Sequence, residues 1–165
     1  MMKRWNERSM FAVCVVIIIV LTILYGVLGK SEPTKYDIIA LTDQFIHSVT
    51  VSHDPQEVAD LFCKDGSLVG TVSQIMREGS EIKLYFDYFA KLPDIQVIDK
   101  VYDIVQVTPD VFINTAFITW TWTGLEKPVI ARMTFVVRNN CIFQLHSSKL
   151  PDVNAGLVAL TKRLV

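Results

Sequence analysis

Two residues are the natural starting points for chemistry: Arg132 in the run VIARMTFVVR and His146 in the run IFQLHSSK. Strand alternation places Ile130, Arg132, Thr134 and Val136 on one face, so Arg132 is expected in an apolar neighbourhood. A guanidinium removed from water must be matched, since desolvating an isolated charge costs several kcal/mol. The match is either a bound anion or a structural acid such as Asp60 or Glu81. His146, with Gln144 and Ser148 at strand spacing, has the titration range of a general acid or base; a satisfied core or interface histidine is the alternative. His47 and His53 complete the histidines, and with no HExxH spacing no metal site is expected. Tyr85, Phe86, Phe89, Trp120 and Trp122 form an aromatic set suited to lining an apolar cavity, or to filling a core. The acids Asp60, Asp65, Glu81, Asp87 and Asp103 are scattered, and no spacing selects an Asp/His pair for proton transfer. GxSxG, GxGxxG and Walker patterns are missing, so acyl transfer and nucleotide chemistry have no support, and no cofactor is expected.

Charge removes further classes. The chain has 165 residues with 16 basic and 17 acidic side chains. The near-balance hides an asymmetry, because residues 1–30 carry +3 and the remainder carries -4. A mildly acidic domain without a Lys/Arg cluster lacks the footprint that phosphate-backbone binding needs, so nucleic acid is not an expected partner. Cys14, Cys63 and Cys141 show no CxxC spacing. Cys63 and Cys141 are read as buried free thiols, with a pair between them as the alternative.

Residues 10–28 read MFAVCVVIIIVLTILYGVL, 19 residues without a charge. At the rise of an α-helix they span about 28 Å, close to a bilayer core. The run is long for a signal-peptide core and lacks an A-x-A cleavage pattern, so an uncleaved anchor is expected. Lys3, Arg4 and Arg8 precede it, which puts the N-terminus in the cytoplasm and the domain on the periplasmic, lumenal or extracellular side.

Residues 31–35 form a polar linker with Pro33. Beyond it the spacing of Ile38, Ile39, Leu41, Phe45, Ile46 and Val49 predicts an amphipathic helix. Asp54-Pro55-Gln56-Glu57 has the signature of a helix start, and this second helix is expected to bury Val58, Ala59, Leu61 and Phe62 and to stop at Lys64-Asp65-Gly66. A short strand over 67–72 and a third helix over 78–91, with Ile82, Tyr85, Phe86 and Phe89 inward, follow. The period then changes to that of strands, over 95–107, 111–123, 128–138 and 141–148, the last two joined by Asn139-Asn140. Helices followed by an antiparallel meander predict an α+β layout in which a curved sheet folds around a helix. Residues 152–165 can form a short terminal helix.

DLFCKDGSLVGTV, REGSEIKLYFDYF and VIARMTFVVRNNCIFQLHSSKLP, in this order, resemble the nuclear transport factor 2-like superfamily. The resemblance covers about residues 36–151 and is nearest to the SgcJ/EcaC-like group and the calcium/calmodulin-dependent protein kinase II association domain. It implies a cone-shaped α+β barrel with a pocket between sheet and helices, and association through the outer sheet face. It also implies that Arg132 faces that pocket. Ile118 and Ser147 stand where the kinase hub has further pocket arginines, and Lys83 where it has a histidine.

The expectation is therefore a single anchor, a linker, an association-type domain over 36–151 and a helical tail. Its function is expected to be non-catalytic binding or assembly, as a homodimer or higher oligomer or as a component of a larger membrane complex. The alternative is a small enzyme or ligand binder using Arg132 and His146, with Tyr85, Trp120 and Ser147 lining the pocket.

Overall fold

A computed structural model describes residues 15–18 and 32–151. The chain divides into two units at Glu32/Pro33. Among the described residues no helix is long and apolar enough to cross a membrane. Residues 15–18 are helical and exposed; the rest of the anchor expected over 10–28, and the tail at 152–165, lie outside the described residues.

Helix α1 (Lys35–Thr50) starts at a reciprocal cap: the Thr34 hydroxyl accepts the Asp37 N–H at 3.4 Å, and the Asp37 carboxylate accepts the Thr34 N–H at 2.7 Å. Its stripe of Ile38, Phe45, Ile46 and Val49 is buried as the spacing requires. Helix α2 (Pro55–Asp60) is capped by Asp54, whose carboxylate accepts N–H groups of Gln56 and Glu57, with Pro55 in the first turn. It ends sooner than expected, because Phe62 already belongs to a strand. That strand, β1 (Phe62–Val69), takes in Lys64-Asp65-Gly66, so the expected turn is instead a register irregularity between Phe62 and Ser67. Gly66 is required there: a Cβ would lie 2.8 Å from the carbonyl oxygens of both Cys63 and Ile142. A three-residue strand, β2 (Met76–Glu78), pairs with β1 and has too few residues to be read from pattern alone. Helix α3 (Ser80–Phe89) follows Gly79, which has φ +53°, and buries Ile82, Tyr85, Phe86 and Phe89.

Strands β3 (Gln96–Thr108), β4 (Val111–Thr121), β5 (Val129–Arg138) and β6 (Cys141–Lys149) form the expected meander, with Asn139 and Asn140 at φ +50° and +62° in the last hairpin. The sheet order is β2-β1-β6-β5-β4-β3. β1 runs parallel to β6, so the sheet is mixed and not wholly antiparallel as the meander suggested. This pairing corrects the reading of the cysteines as well. Phe62 lies beside Ile142, which brings Cys63 and Cys141 to a Cα separation of 5.0 Å, within disulfide range, and the two are bonded. The core lies between the helices and the inward face of the sheet, with Phe45 packed edge-on against both Phe86 and Phe135.

Candidate functional site

Three of the expected pocket residues do meet. Tyr85 of α3, Trp120 of β4 and Ser147 of β6 line one small internal cavity, together with Phe89, Met133 and Thr71. The cavity measures about 10 Å³, the space of about one water. Aromatic packing explains this. Phe89 stands edge-on to Trp120 at 5.5 Å between centroids and stacks on Tyr85 at 6.0 Å, so the rings occupy the volume that a ligand would need.

Tyr85 closes the cavity over Gly70. The approach is close enough that a Cβ on Gly70 would sit 2.3 Å from the Tyr85 ring. Burial raises the Tyr85 phenol above its ordinary pKa, an effect opposed by the Val72 backbone and the Arg77 charge. The loop beneath is fixed by polar bonds: the hydroxyls of Thr71 and Ser147 are bonded to each other, and the Gln74 amide donates to the carbonyls of Gly70 at 2.7 Å and Ser147 at 3.0 Å. Ser147, 2% exposed, is thereby a structural hydroxyl. Ile118, at the other matched position, is fully buried, and Lys83 lies at the surface with its ammonium 3.6 Å from Asp87.

Arg132 and His146 are elsewhere. On β5 the buried residues are Ala131, Met133, Phe135 and Val137, while Arg132 is exposed. On β6 Leu145 and Ser147 are buried and His146 between them is exposed. The pocket orientation implied for Arg132 is thus corrected. Alternation was the right rule, but it does not say which face is inner, and the outer face of this sheet also carries apolar residues such as Ile130 and Phe117. Arg132 sits opposite Phe117 and Ser148, and His146 opposite Thr134. Among the described residues Arg132 has no carboxylate partner, so neither Asp60 nor Glu81 pairs with it. His53 is committed by its Nδ1 to the Ala90 carbonyl at 2.9 Å. No group of three potential metal ligands gathers among the described residues.

What the outer face offers is surface. Val101 and Val105 on β3, Phe117 on β4 and Ile130 on β5 are exposed, and Val101 pairs with Phe117, and Phe117 in turn with Arg132. A second exposed feature was missed at the sequence level. An open groove of about 650 Å³ lies outside Tyr85, walled by Val72 and Ile75 after β1 and by Leu84 and Tyr88 of α3. Its signal was present in the α3 residues Leu84 and Tyr88, which fall off the buried stripe, but nothing local links them to residues 72–77.

No protein-family model and no curated protein matches the chain. Solved structures do. A structure from Xanthomonas campestris described as a calcium/calmodulin-dependent protein kinase II association domain is 28% identical, with TM-score 0.57 over 73% of this chain and 91% of that one. A domain of unknown function with a cystatin-like fold from Nostoc punctiforme superposes with TM-score 0.65 at 14% identity, over 81% and 89% of the two chains. A ketosteroid isomerase-like protein from Erwinia carotovora atroseptica gives TM-score 0.55 at 19% identity, over 70% and 95%. With helices packed on the inner face of a six-stranded mixed sheet, and with these neighbours, the chain has the nuclear transport factor 2-like superfamily fold.

Proposed function

We infer that this chain is a membrane-anchored, non-catalytic binding and assembly module whose domain self-associates through the outer face of its sheet. The observation that carries the reading is the division of the two faces. The inner cavity lined by Tyr85, Trp120 and Ser147 holds about 10 Å³, too little for a substrate, whereas Arg132 and His146 lie on the outer face with Val101, Phe117 and Ile130. An apolar surface with an uncommitted charge suits a self-complementary contact. The similarity to an association-domain structure at 28% identity supports the same reading. A proton-transfer enzyme built on Arg132 and His146 has less support, because neither reaches the interior.

The anchor is residues 10–28, with the basic N-terminus in the cytoplasm and the domain on the opposite side. The Cys63–Cys141 bond supports this side, since disulfides persist in oxidising compartments and are rare in the cytosol.

Sedimentation of the full-length chain in detergent tests the association. The wild type is expected to be a dimer or larger and Phe117→Asp a monomer; a wild type that stays monomeric at tens of micromolar would sink the proposal. Alkylation of cells before lysis tests the side. Cys63 and Cys141 are expected to accept a thiol label only after reduction, and labelling without reduction would place the domain in the cytosol.

A further inference from the structure

The groove outside Tyr85 holds two opposite charges that have no ion-pair partner among the described residues. Arg77 of β2 and Glu81 of α3 both line it. The ion pairs among the described residues are Lys83–Asp87, Lys91–Asp87, Lys100–Asp43 and Arg138–Asp65, so Arg77 and Glu81 form an ion pair neither with each other nor with another side chain.

Arg77 is nonetheless held in place. Its Nη1 donates to the carbonyls of Ser73 at 3.2 Å and Ile75 at 2.7 Å, and its Nη2 donates to the Ser73 hydroxyl at 2.9 Å. The guanidinium carbon stands 5.0 Å from the centroid of the Tyr85 ring, within cation–π range. A guanidinium has five N–H donors, and these bonds use three. The N–H of Nε and one N–H of Nη2 are left on a shared edge, the fork that meets a carboxylate with two parallel bonds. Being pre-positioned by the loop and the ring, that edge loses little freedom on binding.

The walls are apolar and wet. Val72, Ile75, Leu84 and Tyr88 are each more than half exposed, although large apolar side chains gathered around one concavity are uncommon on a surface without a binding role. The volume of about 650 Å³ falls in the range of small-molecule sites, roughly 300–1,000 Å³. A simple carboxylic acid would meet the like charge of Glu81 in this space, and a simple amine that of Arg77. A molecule carrying both charges meets each with its opposite.

We propose that this groove binds the zwitterion of an apolar or aromatic free amino acid, its carboxylate on the free edge of Arg77, its ammonium on Glu81 and its side chain on the Val72, Ile75, Leu84 and Tyr88 walls. The site is independent of the association surface. β2 and β3 are the opposite edges of the sheet, so copies joined through β3, β4 and β5 leave the groove open.

Calorimetric titration of the full-length chain in detergent with L-leucine and L-phenylalanine tests this. Saturable binding with a dissociation constant on the order of 1 mM or tighter is expected for at least one of them. L-Leucinamide, which lacks the carboxylate, and N-acetyl-L-leucine, which lacks the ammonium, are expected to bind at least about tenfold more weakly than L-leucine. Among the described residues Glu81 makes no side-chain polar bond, so Glu81→Gln keeps the fold, shown by an unchanged Tm, and is expected to weaken the amino acid while binding N-acetyl-L-leucine at least as tightly as the wild type, because the like charge is gone. Arg77→Lys keeps the charge but loses the fork, and is expected to weaken the amino acid and the N-acetyl form alike. The proposal is overturned if neither amino acid saturates, or if Glu81→Gln binds both L-leucine and N-acetyl-L-leucine as the wild type does. Oligomeric state, read by sedimentation of the same samples, separates this outcome from failure of the assembly reading.

Discussion

At the residue scale, one buried polar pair ties α1 to β4. Asn114 is fully buried; its amide donates to the Thr42 hydroxyl at 2.8 Å, and that hydroxyl donates to the Ile38 carbonyl at 2.9 Å. The amide oxygen of Asn114 has no partner. Thr42→Val is therefore expected to cost about 1–3 kcal/mol in urea unfolding, because it strands the amide donors as well. Adding Asn114→Leu is expected to recover most of that loss, since replacing both partners removes the unmet groups; additive losses in the double variant would refute the coupling. A surface counterpart ties α1 to β3. Asp43 accepts from Lys100 at 2.5 Å and from the Tyr102 hydroxyl, and burial first, then the hydrogen bond to Asp43 and its charge, raise the Tyr102 phenol well above its ordinary range. A raised phenol pKa favours the folded state while the ring is protonated, so this contribution is complete below about pH 10 and is lost as pH rises above it. Unfolding curves between pH 8 and pH 11 are expected to show a steeper loss for the wild type than for Tyr102→Phe. Tyr85, raised by burial in the same direction, leaves some slope in the variant.

At the scale of elements, the start signals were legible in the sequence and the pairings were not. Asp54-Pro55 announced α2, and Asn139-Asn140 announced the β5–β6 hairpin, because caps and tight turns are set by residues within a few positions of each other. The parallel contact of β1 with β6 joins residues nearly eighty positions apart, and no local pattern encodes it. That contact explains why Lys64-Asp65-Gly66 lies within a strand and why Cys63 is bonded to Cys141 across 78 positions. Replacing both cysteines by serine is expected to lower stability by roughly 2–5 kcal/mol, measured as a shift in Tm, because the reduced chain gains loop freedom in the unfolded state. The β1–α3 contact makes a second prediction. Gly70→Ala pushes against the Tyr85 ring and is expected to cost about 1–3 kcal/mol, and Tyr85→Leu in the same chain to relieve it. If Gly70→Ala is neutral alone, Tyr85 does not close the cavity as described.

At the scale of the whole molecule, the two faces of the sheet differ. The helices and aromatic rings fill the inner side, and among the described residues the outer sheet face and the groove by α3 carry exposed apolar side chains. Arg132 lies on that outer face between Phe117 and Ser148 without a carboxylate partner among the described residues, so reversing its charge probes the proposed contact without disturbing the core. Arg132→Glu is expected to leave the unfolding free energy within about 0.5 kcal/mol of the wild type and to weaken self-association, seen as a shift of the sedimentation boundary towards monomer. An equal boundary at every concentration would show that Arg132 lies outside the interface.

The amino-acid sequence by itself determined the order and type of the main elements and the apolar stripes of α1 and α3, because hydrophobic period and turn chemistry act over a few residues. The strand limits in the meander were legible for the same reason, and the superfamily through the resemblance of its motifs to known members. Only the tertiary structure decided which sheet face is inside, and with it that Arg132 and His146 point outward while Ser147 points in. A strand's alternation has two equivalent senses until something packs on one of them, and here both faces carry apolar residues. The filled interior, the disulfide and the groove with Arg77 and Glu81 were decided at that level too, since each joins segments that meet only when the sheet closes against the helices.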